Sequence, residues 1–228
     1  MSRIHFVGGE KGGVGKSVVA RLLTQYCLDR SLAFNAIDAD RSHGALLRFY
    51  SDFSKTGDLD HFETTDHIMT LAMEADRRVI VDLPAQSDRL LSKWIEKNGI
   101  LELGTEFSIP LIFWHVMDDG KDSIDLLQTL LTKYDNMVRY VIVKNMGRGH
   151  DFSQFENSKT RKHAEEVGAK IMTLEELHKP TMLKVDTLNK SFWQAVNGSG
   201  GDDLGIIERH RIKVWLRSVY KEFDRLEV

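Results

Sequence analysis

Cysteine is almost absent from this sequence, which has a single one, Cys27, among 228 residues. One cysteine excludes a disulfide framework, a zinc cage of several thiolates and an iron–sulfur cluster held within one chain. The first residues also lack the apolar core of a secretory leader. We therefore expect a protein of the reducing cytoplasm.

Long apolar runs and an excess of one charge are missing as well. The longest apolar run, 109–117, contains His115 and is about half as long as a membrane-spanning helix requires. The formal net charge of −3 gives no general attraction to nucleic acid or to an anionic membrane. Contact with DNA would need a local basic patch, and a membrane partner is not expected.

Only three prolines interrupt the chain, and short apolar runs alternate with helical periodicity. This alternation predicts an α/β fold with a mostly parallel twisted sheet and helices on both faces. The predicted strands are 3–8, 34–38, 78–83, 110–116, 139–144 and 169–173, with a lesser one at 60–64. The predicted helices are 16–29, 44–51, 66–75, 87–97, 122–134, 159–167 and 174–188, the last interrupted by Pro180.

The chain is predicted to form one domain, 1–228, that ends in a linker-like loop at 196–204 and an amphipathic helix at 205–227. The apolar stripe of that helix comprises Trp215, Leu216, Val219, Tyr220, Phe223 and Leu226. We expect the stripe to pack on the body of the protein, with the basic residues solvated or paired with acids. The alternatives are a membrane-targeting helix and a basic face that contacts DNA.

The stretch FVGGEKGGVGKSVVARLL at 6–23 places five glycines and two lysines between an apolar strand and a helix. The phosphate-binding pattern Gly-x4-Gly-Lys-Ser would need glycine where Glu10 stands, so the strict pattern fails at one position. The remainder predicts a nucleotide-binding loop at the start of a helix, formed by Gly12, Gly13, Val14, Gly15, Lys16, Ser17 and Val18. Lys16 would contact the β and γ phosphates, and the Ser17 hydroxyl would hold Mg²⁺.

The run KGGVGKS at 11–17 resembles the deviant Walker A motif of the ParA/MinD superfamily of P-loop ATPases, also called the CobQ/CobB/MinD/ParA family. The resemblance implies that Lys11 reaches across an ATP-dependent homodimer to the phosphates of the other subunit, as an arginine finger does. Alternatively, Lys11 only adds charge to its own loop. Glu10 could hold Lys11 when nucleotide is absent.

Two acid-bearing strand ends resemble further motifs of the same superfamily. In IDAD at 37–40, which resembles the first switch, Asp40 would position or activate the attacking water and Asp38 would support the Mg²⁺ shell. In VIVDLPA at 79–85, which resembles the Walker B motif and second switch, Asp82 would meet Mg²⁺ through water. The alternatives are a helix cap for the first two acids and a core acid for the third.

Two smaller features belong to the same resemblance. Asn145 stands where the superfamily has an adenine-reading asparagine, although an isolated asparagine at a strand end is common. Residues 41–43, Arg-Ser-His, replace the Pro-Gln-Gly that often follows the first switch. The opening IHFV at 4–7 and the helix segment LLTQY at 22–26 are similar to the TraL/StbB-like ATPases of conjugative plasmids.

These resemblances imply a switch that binds ATP, ADP and Mg²⁺, hydrolyses ATP and dimerises, in plasmid partition, conjugative transfer or the positioning of a large assembly. Its partners would be a second copy of the chain and either nonspecific DNA or a protein cargo or activator. The alternative function is that of a small-molecule ligase or kinase of the dethiobiotin synthetase/CobQ type. Such enzymes share the fold and the phosphate loop but generally lack a lysine at the position of Lys11.

Overall fold

A computed structural model describes residues 1–40, 44–198 and 204–228. Its strands are β1 (Arg3–Gly8), β2 (Phe34–Asp38), β3 (Ser54–Thr56), β4 (Arg78–Asp82), β5 (Leu111–Met117), β6 (Arg139–Asn145) and β7 (Lys170–Leu174). They form one sheet in the order β3-β2-β4-β1-β5-β6-β7, and every neighbouring pair is parallel. The predicted α/β fold with a parallel sheet is therefore confirmed.

Helices cover both faces of the sheet. They are α1 (Lys16–Asp29), α2 (Ala45–Phe49), α3 (Phe62–Glu74), α4 (Asp88–Lys97), α5 (Ile100–Glu106), α6 (Lys121–Tyr134), α7 (Ser153–Glu156), α8 (Lys159–Glu166), α9 (Lys179–Thr187), α10 (Phe192–Asn197) and α11 (Ile206–Leu226). One face carries α1, α2 and α9 to α11, and the other carries α3 to α8. Because both faces are covered, the central strands are apolar on both sides and read as continuous apolar runs.

The last helix packs on the body, as its apolar stripe predicts. Trp215, Leu216, Val219, Phe223 and Leu226 are buried, and Tyr220 is half-buried. The indole Nε1 of Trp215 donates to the backbone oxygen of Glu175 at 2.7 Å. Most of the predicted linker, 199–203, lies outside the described residues, and the single-domain organisation stays a prediction.

Two element predictions are wrong. The lesser strand at 60–64 does not exist, because Phe62 begins α3, and the edge strand lies earlier, at Ser54–Thr56. The stretch 174–188 is not one helix, since Leu174 ends β7 and α9 begins at Lys179. Pro180 lies in the first turn of α9, where its missing N–H would have no helical partner, so this proline starts a helix instead of interrupting one.

Among the residues that the structure describes, no helix has both the length and the apolar character required to cross a membrane.

Candidate functional site

The predicted phosphate loop joins β1 to α1 at the carboxyl edge of the sheet. Gly13 and Gly15 have φ angles of 77° and 101°, in the left-handed region that side chains rarely adopt. Gly15 immediately precedes α1, and a Cβ on it would lie 2.3 Å from Nδ2 of Asn145. Both the backbone and the approach of Asn145 therefore require glycine at position 15.

Lys16 lies inside the loop and is only 7% exposed. Its ammonium donates to the backbone oxygen of Lys11 at 2.8 Å. Burial lowers the pKa of Lys16, and the nearby carboxylates of Asp82, Asp40 and Glu10 oppose that shift. A partly desolvated cation beneath a loop of backbone amides is suited to bind the oxygens of a phosphate chain.

Asp38 and Asp82 are register partners at the ends of β2 and β4. The Asp38 carboxylate accepts from the backbone N–H groups of Asp40 and Leu47, each at 3.1 Å, so it organises the segment that follows β2. Asp82 is fully buried, and burial raises its pKa to about 7. The nearby Ser17 hydroxyl and Lys16 oppose this rise, whereas Asp38 and Asp40 add to it. By distance and angle, neither Asp82 oxygen accepts a hydrogen bond from the described residues.

The surroundings of Asp82 fit a magnesium ion. A buried carboxylate without a donor, beside the hydroxyl of Ser17, offers the hard oxygen ligands that Mg²⁺ prefers. Over 1–40, 44–198 and 204–228, no group of three or more His, Cys, Asp or Glu side chains could hold a metal by itself. The ion would therefore need phosphate oxygens and water to complete its shell, as Mg²⁺ sites with nucleotides usually do.

A cleft of about 500 Å³ lies over the loop. Its lining includes several residues of the predicted site or next to it, namely Gly12, Gly13, Gly15, Lys16, Ser17, Val18, Asp40, Pro84 and Ala85. It also includes three residues that were not predicted from the sequence, Arg21, Arg48 and Arg148. No pattern marks these arginines, because their positions depend on how α1, α2 and the end of β6 meet. Residues 41–43 lie outside the described part of the chain.

Lys11 is paired within its own chain. Its ammonium lies 2.8 and 3.2 Å from the two carboxylate oxygens of Asp118, just beyond the end of β5. Asp118 also accepts from the Ser123 hydroxyl at 2.6 Å and from the Gly120 N–H at 3.1 Å. The hydrogen bond to Asp118 raises the pKa of Lys11, and Lys11 in turn helps to lower the pKa of Asp118, against the effect of burial.

Glu10 does not hold Lys11, so that suggestion is wrong. Oε1 of Glu10 accepts from the backbone N–H of Asp88, the first residue of α4, at 2.7 Å. Its backbone oxygen accepts from Gln86 N–H at 3.3 Å. The residue that departs from the phosphate-loop pattern therefore ties the loop to the segment after Asp82 and caps α4 with a negative charge.

Asn145 is buried beside the loop. Its Nδ2 donates to the backbone oxygen of Val14 at 2.7 Å, and its Oδ1 accepts from the Gly147 N–H at 3.0 Å. The amide keeps one further donor and one further acceptor site, with which it could still bind adenine, and that contact stays a prediction. The observed bonds join the end of β6 to the phosphate loop.

The comparison with protein families gives no matching family model. Two curated proteins are similar in sequence. Protein TraL of Escherichia coli is 25% identical over an alignment that covers 100% of both chains. Protein MobD of Acidithiobacillus ferrooxidans is 26% identical over 180 residues, which cover 76% of this chain and 78% of MobD.

Solved structures with the same fold include MinD of Aquifex aeolicus, with a TM-score of 0.52, 12% identity and coverage of 96% of this chain and 98% of that one. A ParA family ATPase of Chlorobium tepidum has a TM-score of 0.51, 14% identity and coverage of 95% and 99%. A candidate plasmid partition protein of Borrelia burgdorferi, bound to AMPPNP, has a TM-score of 0.50, 14% identity and coverage of 96% and 100%. This chain thus has the fold of the ParA and MinD ATPases and is similar in sequence to TraL and MobD.

Proposed function

We propose that this chain binds and hydrolyses Mg-ATP, and that its ATP-bound form is a homodimer that serves the partition or transfer of plasmid DNA. The observation that carries the proposal is the meeting of Lys16 and Ser17, at the start of α1, with the buried and unpartnered carboxylate of Asp82. The bound AMPPNP of the Borrelia protein and the sequence similarity to TraL support it.

The residues around the cleft can divide the chemistry among them. The loop amides and Lys16 bind the phosphates, and Asp40, which lines the cleft, positions the attacking water. Mg²⁺, when bound beside Ser17 and Asp82, supplies positive charge to the phosphate oxygens. Lys11 lies next to the loop and brings a second cation toward the transferred phosphoryl group.

For Lys11 to act on the other subunit it must leave Asp118. The two side chains are 31% and 19% exposed, so water screens their attraction in part. An ion pair of this kind contributes about 1 kcal/mol or less, which the charge of a nucleotide at the dimer interface can exceed. We therefore propose that Lys11 exchanges Asp118 for the phosphates of the other subunit when the dimer forms.

The test combines light scattering after size-exclusion chromatography with calorimetry, in the presence of no nucleotide, ADP or AMPPNP. We expect the wild type to dimerise only with AMPPNP. Lys16→Ala should lose nucleotide binding, Lys11→Ala should bind nucleotide but stay monomeric, and Asp40→Ala should bind and dimerise without turning over ATP. The control is Lys97→Ala, which removes an exposed lysine of α4 and should behave as the wild type.

Three results would contradict parts of the proposal. Unchanged affinity in Lys16→Ala would exclude the phosphate-loop assignment. A normal AMPPNP-dependent dimer of Lys11→Ala, or loss of nucleotide binding by its monomer, would show that Lys11 serves its own subunit. In that case the ligase or kinase alternative, which has no need of a lysine in trans, would gain support.

A further inference from the structure

Four of the seven strands begin with a cation. These residues are Arg3, Arg78, Arg139 and Lys170, at the starts of β1, β4, β6 and β7. Because the strands are parallel, all four lie at the amino edge of the sheet, opposite the phosphate loop. The four strands belong to the contiguous set β4-β1-β5-β6-β7, so the cations form a row. Strands of this length place the row about 20 Å from the nucleotide cleft.

The alternation of side chains directs the whole row toward one face. Two residues after the first position, Ile80 of β4, Val141 of β6 and Met172 of β7 lie in the core on the face that α11 covers. His5 of β1 is on the same face, since it contacts Trp114 of that core. Residues two apart in a strand share a face, so the four cations project toward the end of α11.

A cavity of about 500 Å³ lies between this row and the end of α11. Its polar lining includes Arg3, Arg139 and Lys170, and its apolar lining includes Ile112 and Val141. The lining also includes Glu227, which pairs with Lys170 at 3.5 Å. Cations therefore outnumber the acid at the sheet edge, and the cavity is apolar along the strands. Its size lies within the range of small-molecule sites.

His5 lines the cavity and has a donor without an acceptor. The side chain is 1% exposed, and its Nδ1 accepts from the indole Nε1 of Trp114 at 3.0 Å. Burial, reinforced by Arg3 and Arg78, lowers the pKa of His5 to about 3, so the ring is neutral. An indole N–H only donates, so the single ring proton of His5 resides on Nε2. Nε2 has no hydrogen-bond partner among the described residues.

Three of the four cations hold the end of α11, which explains their presence at this edge. Arg3 and Arg78 donate to the backbone oxygens of Glu227 and Val228, and Lys170 donates to that of Leu226 at 3.0 Å. Cations at the carboxyl end of a helix are stabilising. Holding the end of α11 does not account for Arg139 or for the His5 Nε2 donor, which have no bonded partner in the described part of the chain.

We infer that this cavity is a second anion site, which binds a small molecule that carries phosphate or carboxylate oxygens. One oxygen accepts from Nε2 of His5, Arg139 pairs with the anionic group, and the remainder of the ligand packs against Ile112 and Val141. A buried donor without an acceptor destabilises the fold, and such a ligand removes that cost. The site lies at the other edge of the sheet from the nucleotide cleft and does not depend on the proposed ATPase activity.

The test is NMR spectroscopy of the full chain with the nucleotide cleft saturated by Mg-ADP, followed by titration with inorganic phosphate or with benzoate. We expect a saturable change in the His5 ring nitrogens and in the Trp114 indole N–H with at least one probe. The probe that acts identifies phosphate or carboxylate as the preferred group. Arg139→Gln should weaken binding about tenfold, the loss expected for one charge-assisted hydrogen bond.

The matched control is Arg217→Gln, which removes the same charge from an exposed position on α11. Binding by this variant should equal that of the wild type. Because Arg139 is exposed and unpaired, its replacement leaves the fold intact. The absence of a saturable change with both probes, or equal weakening by the two variants, would overturn the inference and leave water as the partner of His5.

Discussion

The ammonium of Lys11 lies between the two carboxylate oxygens of Asp118. Asp118→Asn removes the charge attraction but keeps an oxygen that can accept from Ser123. If Lys11 serves the second subunit, its release should favour the AMPPNP-dependent dimer about 30-fold, since each of the two subunits gives up a partly exposed pair that contributes about 1 kcal/mol. The measurement is the monomer–dimer dissociation constant from analytical ultracentrifugation.

Ser123→Ala is the control for this variant, because it loses the 2.6 Å bond to Asp118 and keeps the ion pair with Lys11. It should dimerise as the wild type does. A dimer of Asp118→Asn that is unchanged or weaker would indicate that Asp118 does not compete for Lys11.

Two glycines of the phosphate loop differ sharply in what they tolerate. Gly15→Ala places a methyl group 2.3 Å from Asn145 Nδ2 in a left-handed backbone, whereas a Cβ at Gly12 meets no atom within 4 Å. We expect Gly15→Ala to lower the free energy of unfolding by about 2 kcal/mol or more, and Gly12→Ala by less than about 0.5 kcal/mol. Denaturation in urea without nucleotide measures both, and equal losses would contradict the close approach of Asn145.

At the residue scale, the sequence predicts the part of the site that follows from strand ends. Asp38 and Asp82 meet because parallel strands end at one edge, and the start of α1 brings Ser17 to the same edge. The contacts of Lys11 with Asp118 and of Glu10 with Asp88 could not be predicted, since each joins segments about 80 to 110 residues apart. The catalytic and metal-binding roles of the predicted residues stay predictions.

The central strands β1 and β5 each bury a histidine. Burial lowers the pKa of His5 to about 3 and that of His115 to about 4, while both would titrate near 6.5 in the unfolded chain. The unfolded state therefore binds more protons below pH 6.5, and stability is lost as the pH falls. At pH 5 each histidine should reduce the free energy of unfolding by about 2 kcal/mol relative to pH 8.

The variant His115→Gln isolates the contribution of His115 to this pH dependence. Nε2 of His115 bonds to the backbone oxygen of Ser123 at 3.0 Å, and the glutamine amide can replace that donor without titrating. Between pH 8 and pH 5, the variant should lose about 2 kcal/mol less than the wild type in chemical denaturation. An identical pH dependence would show that His115 is protonated in the folded state.

A basic strip lies on the solvent side of α11, formed by the exposed residues Arg211, Lys213, Arg217 and Lys221. Neutralisation of phosphates by such a strip would make DNA binding depend on salt. If the AMPPNP dimer binds nonspecific duplex DNA, charge reversal at Lys213, Arg217 and Lys221 should weaken binding and flatten its salt dependence. Fluorescence anisotropy at several salt concentrations measures both effects.

The control for the basic strip reverses three exposed lysines elsewhere, Lys97, Lys159 and Lys162. If the two triple variants weaken DNA binding equally, the net charge of the protein and not the basic strip determines that binding. Absence of DNA binding in every nucleotide state at low salt would favour a protein cargo.

At the element scale, periodicity predicts the long elements and fails for the short ones. Helix α1 and strands β1 and β2 have the predicted bounds, because their apolar patterns are uninterrupted. Strand β3 has three residues, Ser-Lys-Thr, and only its place beside β2 makes it a strand. Helices α5 and α10, of seven and six residues, are too short for a helical period to be recognised.

On the scale of the whole molecule, Arg21 joins four helices. It lies in α1, is 3% exposed, and pairs with Asp186 of α9 at 2.8 Å. Its guanidinium is 3.6 Å from the ring centre of Phe49 in α2 and 4.7 Å from that of Phe192 in α10. Its Nε and Nη2 have no hydrogen-bond partner among the described residues, so Asp186 supplies the main compensation for its charge.

Asp186→Asn should therefore destabilise the protein by about 2 kcal/mol, less than a fully buried pair would because Asp186 is 38% exposed. The matched control is Asp125→Asn, whose carboxylate is 63% exposed and pairs with Lys121 at 3.6 Å on the surface of α6. The control should change the free energy of unfolding by less than about 0.5 kcal/mol. Equal effects in urea denaturation would show that Arg21 does not depend on Asp186.

The strand order determines when the nucleotide cleft can form during synthesis. β1 lies between β4 and β5, so it has no neighbour until residues 78–82 and then 111–117 have left the ribosome. The bond from Asn145 to the Val14 backbone requires β6 as well. The phosphate loop is thus translated before β4, β5 and β6, the strands that give it its native contacts. Until then β1 is an apolar strand with two unpaired edges, the kind of segment through which partly folded chains aggregate.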